Sequence, residues 1–235
     1  MQGIGMQHPL PENAVIDPRQ SRSSQVYAIL RSAIIDLTLP PTMVIKKEEI
    51  AAQLGISRTP ISEAINRLAE EGLVEIFPQH GTYVSKIRTG DVLEGAFLRR
   101  ALEVETVREV ALRITREVLN DLDRNVRYQK ANLEADDLDA FHRLDIEFHQ
   151  MICDFLGFTK VRRAIDSSRA QLDRVRKMML TVVDRPIETY HEHLAIVDAL
   201  RKGSPDAAGE AMTRHLAAGI APLQKRMKER PELFE

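Results

Sequence analysis

The sequence predicts a mainly α protein in two parts: an N-terminal winged helix-turn-helix with a small β-hairpin, then a C-terminal antiparallel helical bundle. Three observations carry this. Lys47 to Val84 holds two helical runs around Gly55, followed by two short alternating runs. The β signals stop near Ile87. Beyond them, six helix-length periodic segments are separated by short breaks, and helices joined by short loops pack as antiparallel neighbours.

In the first part, Ile50, Ala51 and Leu54 make one apolar stripe. Gly55 supplies the turn, where a left-handed backbone would strain another residue. Ser57 stands as N-cap of the next helix, its hydroxyl placed to accept from first-turn amides. Pro60 falls in the first turn, where its missing N–H costs little. Ile61, Ile65 and Leu68 form the buried stripe, and Gly72 ends the helix. Ser57, Arg58, Thr59 and Ser62 then lie at the end of the second helix that reaches base edges in the major groove. Leu73 to Ile76 and Thr82 to Ser85 alternate and are joined by Phe77-Pro78-Gln79-His80-Gly81, which reads as a hairpin, or wing. An αα-hairpin beside an unrelated β-ribbon is the plainer alternative. It leaves the polar end of the second helix without a packing purpose.

These residues resemble the GntR family of bacterial transcription regulators. The match runs through Tyr27-x-x-Leu30-Arg31-x-x-Ile34, Glu49-Ile50-Ala51-x-x-Leu54-Gly55-Ile56-Ser57-Arg58-Thr59-Pro60, Glu63-Ala64-x-x-x-Leu68-x-x-Glu71-Gly72-Leu73 and Gly81-x-x-Val84. It spans about Ser23 to Ile87. The sequence departs from the family at Ser62, where members usually carry an arginine. The resemblance implies binding of double-stranded DNA, with Arg31, Ser57, Arg58, Thr59, Ser62, Arg67, His80 and Gly81 as the contacting candidates.

Charge contributes little to that reading. Between Ser21 and Gly90, eight basic residues face seven acidic ones, a net +1. Phosphate binding must therefore come from clustering, not from bulk charge. Glu63, Glu70 and Glu71 are expected to face away from DNA.

A chain of 235 residues suits two domains, and 43% hydrophobic content is ample for their cores. With no Trp, those cores are mainly aliphatic. The single Cys153 excludes a disulfide framework and suits a reducing cytoplasm. No run approaches membrane-spanning length. Residues 1–20 are expected to be a disordered arm, without the basic and apolar regions of a signal peptide. The reading domain covers 21–87 and the helical domain 91–230.

A boundary falls at Thr89-Gly90-Asp91, which breaks the chain and caps the first bundle helix. The six helices are expected at about 91–114, 116–134, 138–155, 160–183, 187–202 and 204–228. Gly203-Ser204-Pro205 is a stop, an N-cap and an N1 proline in sequence.

Four bundle residues form a second constellation. Asp145 and His149 are four apart and share one helix face, beside Phe141, Phe148 and Ile152. His193 precedes Ile196, Val197 and Leu200 at helical spacing, and His215 follows Ala211 and Met212. Each His alone reads more plainly as a hydrogen-bonded core residue. His191, two residues from His193, cannot share its face, and His142 falls on the rim. The set of four, from three helices, points to a divalent metal: zinc first, with nickel, manganese or iron as alternatives.

This half is similar to the all-helical effector domain of the FadR-like branch of GntR regulators, through Arg99-x-x-x-Glu103, Asp145-x-x-x-His149, Glu192-His193-x-x-Ile196 and Met212-x-x-His215-Leu216. That resemblance implies a metal held by one aspartate and three histidines, with a small carboxylate bound beside it. It argues against an acyl-CoA sensor. Arg99 is the candidate effector residue, its fork able to hold a carboxylate bidentately. An exposed helix salt bridge with Glu103 is the equal alternative.

A metal-dependent hydrolase is a competing class, as is a DNA-binding protein without a ligand. Against the enzyme stand the absence of H-E-x-x-H, of a general base beside the ligands, and of a Gly-rich phosphate loop. The expectation is a cytoplasmic, homodimeric transcription repressor, not an enzyme. It would read a palindromic operator and answer a small organic or sugar acid.

Overall fold

The computed structural model describes Leu10, residues 14–178, residues 185–229 and Phe234. Contacts divide the chain into two compact units. One is built on the segment ending at Thr89 and includes Asp173–Met178; the other is built on Gly90–Leu172 and the C-terminal helices.

In the first unit α1 (Arg22–Ile35) and α2 (Lys47–Leu54) pack on α3 (Arg58–Glu70). Their core is Val26, Leu30, Ile34, Ile50, Ile61, Ile65 and Leu68. Gly55 adopts φ +64° after α2, as its turn role requires. Gly72 adopts φ +68° after α3. There the amides of Gly72 and Leu73 bond to the carbonyls of Ala69 and Leu68, closing the last turn in a Schellman pattern.

The expected wing is present, shifted by one residue at its edges: β1 (Val74–Phe77) pairs antiparallel with β2 (Gly81–Val84). The turn places Pro78 second and Gln79, at φ +63°, third, with His80 N–H bonded to Phe77 O. These are the φ preferences of a type II turn. Residues 42–45 add a third edge to β2 through the Val44–Tyr83 bridge.

The arm expected to be disordered is tied down at two of its described residues. Leu10 is buried, and its backbone exchanges hydrogen bonds with the Gln53 side chain. Asp17 does the same with Gln25. The rest of that expectation, residues 1–9 and 11–13, lies outside the described residues.

Among the described residues the second unit is built of helices: α4 (Thr89–Ala111), α5 (Arg116–Glu134), α6 (Leu138–Phe155), α7 (Thr159–Met178, of which Asp173–Met178 belongs to the first unit), α8 (Pro186–Arg201) and α9 (Pro205–Glu229). α4 starts at Thr89, so the expected breaker Thr89-Gly90-Asp91 lies inside its first turn, not before it. The end expected for α7, near Val183, lies outside the described residues. Asp137 caps α6 by accepting from Ala140 N–H, and Ser204 caps α9 by accepting from Ala207 N–H. Val107, Leu122, Phe148, Ile152, Ile196, Leu200 and Met212 make the shared core.

Candidate metal centre and DNA-reading surface

The surface that would meet DNA starts from the first turn of α3. Ser57, Arg58 and Thr59 are exposed there, and Ser62 is half-buried one turn on. Ser57 holds the N-cap position in extended backbone, but its side chain makes no capping bond. That corrects the expected capping role. Arg58 pairs with Glu48 at 2.9 Å, both largely exposed, so water competes for the pair and it is weak.

Arg31 and Arg67 are placed differently. Arg31 donates to Glu71 at 2.9 Å, half-buried, and Tyr27 O–H donates to the same carboxylate. The Arg67 guanidinium stands 3.9 Å over the Tyr27 ring. Burial, with Glu71 beside it, pushes the Tyr27 phenol up to about 12. Glu71 is thus held in a half-buried pair with Tyr27 and Arg31. His80 and Gly81 are exposed in the wing turn. A Cβ at Gly81 would meet the Tyr83 side chain first, at an ordinary 3.6 Å, so the constraint there is its φ of +115°.

In the helical unit the four expected ligands converge. Asp145 and His149 from α6, His193 from α8 and His215 from α9 are all buried, and one ligand atom from each falls within 4.8 Å of the others. His149 Nε2 lies 3.1 Å from His215 Nε2 and 3.7 Å from Asp145 Oδ1. His193 Nε2 lies 3.4 Å from the same Oδ1. Atoms about 2.0–2.2 Å from one ion stand about 2.8–3.6 Å apart at octahedral to tetrahedral angles. The 3.1 and 3.4 Å separations fall in that range and the 3.7 Å one lies just beyond it, within a cluster whose four ligand atoms all stand within 4.8 Å of one another. Among the described residues His193 Nε2 has no hydrogen-bond partner, an orphaned buried nitrogen aimed at the cluster. The donor set, three imidazoles and one carboxylate, fits a divalent ion.

Each Nδ1 has a backing partner. His215 Nδ1 is 2.9 Å from Glu192 Oε2, and His193 Nδ1 is 2.9 Å from Gln129 Oε1. His149 Nδ1 is 2.6 Å from Glu103 Oε2, a close polar approach, not an aligned hydrogen bond. Burial opposes ionisation of Glu103, but Arg99 and His149 outweigh it and hold the carboxyl far below its ordinary range. Burial likewise opposes Glu192, yet the hydrogen bonds from His215 and Arg185 pull it down. Burial lowers His193 well below 6.5, and nearby His215 adds to the shift. Burial also lowers His215, against the pull of Glu192.

Arg99 is buried, not exposed, and pairs with Glu103 through Nε. The expected helix pair with Glu103 therefore forms, but inside the bundle and not on its surface. Its Nη2 has no hydrogen-bond partner among the described residues, and its charge reaches Asp145, His193 and His215. Arg100 is solvent-facing, near the Phe97 ring. His142 is half-buried, 3.9 Å from Asp145 Oδ2, and His191 is exposed. Sequence reasoning missed Arg169, which is buried on α7 and donates to Asp145 Oδ2 at 3.3 Å. It also missed Asn125 and Gln129. A charged residue amid the polar face of α7, or amides on an amphipathic α5, carry no signal that distinguishes them from solvated side chains.

Among the described residues no helix is long and apolar enough to cross a membrane. Residues 22–84 match the family model described as bacterial regulatory proteins, gntR family, and residues 91–218 match the FCD domain. The chain is 36% identical over 219 residues to the HTH-type transcriptional repressor RspR of Escherichia coli (strain K12), covering 93% of this chain and 96% of that one. It is 30% identical over 201 residues to a protein of Paenarthrobacter nicotinovorans named "Probable D-xylose utilization operon transcriptional repressor", covering 85% and 88%. Among solved structures it resembles E. coli McbR/YncC, with a TM-score of 0.77 at 18% identity over 88% of this chain and 99% of that one. A putative GntR regulator from Rhodococcus sp. RHA1 gives 0.73 at 24%, over 88% and 99%. With both halves matched and relatives aligned over nearly the whole chain, the protein belongs to the GntR family of DNA-binding transcription regulators, as a member whose second domain is an FCD domain.

Proposed function

We propose that this regulator is a homodimeric, cytoplasmic repressor. In this reading its grip on a palindromic operator is set by a small organic or sugar acid bound beside a divalent ion in the FCD domain. The observation that carries the reading is the buried Asp145–His149–His193–His215 cluster with the unpartnered Arg99 Nη2 near it. A buried cationic nitrogen without an acceptor is costly, and a carboxylate would satisfy it. When bound, the ion supplies open coordination positions for an anion. The residues do the rest: Arg99 presents a charged donor, Glu103 fixes its orientation through Nε, and burial keeps water from screening the pair.

For DNA, the reading rests on exposed Ser57, Arg58 and Thr59 at the tip of α3, with the half-buried Ser62 one turn on. His80 and Gly81 in the wing, and Arg31 and Arg67 behind them, complete the proposed contact set. Arg31 is the weakest member, because Glu71 already holds it. The relatives named as repressors support repression, and the D-xylose name supports a sugar-derived effector.

The test is a gel shift on DNA upstream of the protein's own gene. Metal-loaded and chelator-treated protein are compared across a panel of organic and sugar acids. The proposal expects one acid class to change the operator affinity of loaded protein only. Equal affinity with every acid, loaded or not, would remove the effector reading.

A further inference from the structure

His193 can face the cluster with a lone pair on Nε2 only if its proton sits on Nδ1. We infer that Asn125 and Gln129 are positioning residues that fix this tautomer, taking their direction from the backbone carbonyl of Leu144. The two amides lie four apart on α5, a helix that contributes none of the four ligands, and both are buried.

The chain of reasoning runs from the one group whose role cannot change. A carbonyl oxygen only accepts, so the atom of Asn125 that meets Leu144 O, at 3.1 Å, is its Nδ2 donor. That turns Asn125 Oδ1 towards Gln129, whose Nε2 donates to it at 2.8 Å. Gln129 must then present Oε1 to His193, 2.9 Å from Nδ1. An amide oxygen carries no proton, so Nδ1 carries it. Turning both amides over would set Asn125 Oδ1 against Leu144 O, two acceptors in contact where no water screens them.

The consequence lies on the other side of the ring. Nε2 is left a lone pair, without a hydrogen-bond partner among the described residues and 3.4 Å from Asp145 Oδ1, itself an acceptor. The relay therefore leaves Nε2 free to give its lone pair to a cation at the cluster. It also differs from the carboxylates behind His149 and His215. A neutral amide fixes the tautomer of His193 without adding negative charge. The link to metal affinity rests on the proposed metal reading; the tautomer itself does not.

Two measurements test this on the full chain. The first is long-range proton–nitrogen correlation on chelator-treated protein carrying ¹⁵N histidine, with His193 assigned by its loss in His193→Ala. The expected signal is protonated at Nδ1, against the Nε2–H form that free neutral imidazole prefers. A His193 protonated at Nε2 overturns the inference. The second compares Gln129→Met, of similar volume but without an acceptor, with Gln129→Glu, which keeps one. Cobalt(II) affinity is read by chelator competition and by the visible spectrum. Gln129→Met should weaken binding about 10- to 100-fold and alter the spectrum, while Gln129→Glu stays near the parent. Parent affinity in Gln129→Met, or an equal loss in both, overturns it. A parent that binds no cobalt yet shows His193 protonated at Nδ1 would sink the metal reading and leave the relay standing.

Discussion

His149 Nε2 and His215 Nε2 lie 3.1 Å apart although 66 residues separate them in the chain. Their rings are stacked at 25°, with centroids 5.0 Å apart. Each ring has a carboxylate at its far nitrogen, Glu103 for one and Glu192 for the other. Lone pairs brought this close repel unless a proton or a metal cation lies between them.

Metal content follows from that relationship. Protein purified without chelator should hold about one divalent ion per chain, and His149→Ala or His193→Ala should lose most of it. Because the ligands come from three helices, the ion's binding energy is shared with folding of the bundle. Removing it should lower the melting temperature of the helical domain. Elemental analysis with paired melts decides this: a metal-free parent, unmoved by zinc, nickel or manganese, would reduce the four residues to core side chains.

The chelated protein should lose stability as the medium becomes acidic. Burial holds the folded-state pKa of both His193 and His215 below the ordinary 6.5. Below 6.5 the unfolded chain takes up protons that the folded chain refuses, so stability rises with pH there. Their contribution is complete above about 6.5 and is lost as pH falls below it, by up to about 1.4 kcal/mol per pH unit for each group. Denaturant melts between pH 7.5 and 5.5 should show this slope, and His193→Gln should flatten it. An unchanged slope in that variant would contradict the assignment.

Arg58→Ala should weaken specific operator binding by about 1–3 kcal/mol. The side chain is exposed at the tip of α3 and paired with an exposed Glu48, so little folding stability is at stake. Fluorescence anisotropy with operator and scrambled DNA separates the effects. Equal operator affinity in the variant would move the reading surface elsewhere.

Arg99→Lys should keep a positive charge beside Glu103 but lose the guanidinium fork. Metal content should remain, while the acid concentration needed for half response rises about 10-fold or more, the scale of one charge-assisted hydrogen bond. Acid titrations of the loaded protein, followed by gel shift, measure it. An unchanged titration would leave Arg99 purely structural.

Gly95→Ala should destabilise the helical domain by about 1–3 kcal/mol, because α4 and α7 touch there through backbone. An added Cβ would stand 2.4 Å from Ser168 O, and a carbonyl cannot rotate away as a side chain can. Calorimetry on the metal-loaded protein should show a lower melting temperature. No change would mean that the two helices separate freely.

The sequence by itself determined the elements and the four-residue cluster. Period and punctuation are local properties: the stripe of Ile61, Ile65 and Leu68, the left-handed glycines 55 and 72, and the Ser204-Pro205 start can each be read within a turn or two. Asp145, His149, His193 and His215 were legible for the same reason, since each lies in register with an apolar helix face. Tertiary structure decided what depends on neighbours from distant segments. It placed Glu71 against Tyr27 and Arg31, drawing one expected DNA contact into an internal pair. It buried Arg99, which spacing alone left equally placed for solvent. It brought Arg169, Asn125 and Gln129 to the ring of ligands, although they sit on helices whose sequence shows only ordinary polar positions. A hydrogen bond across helices is set by which faces meet, and that is a property of the packed bundle, not of any one segment's period.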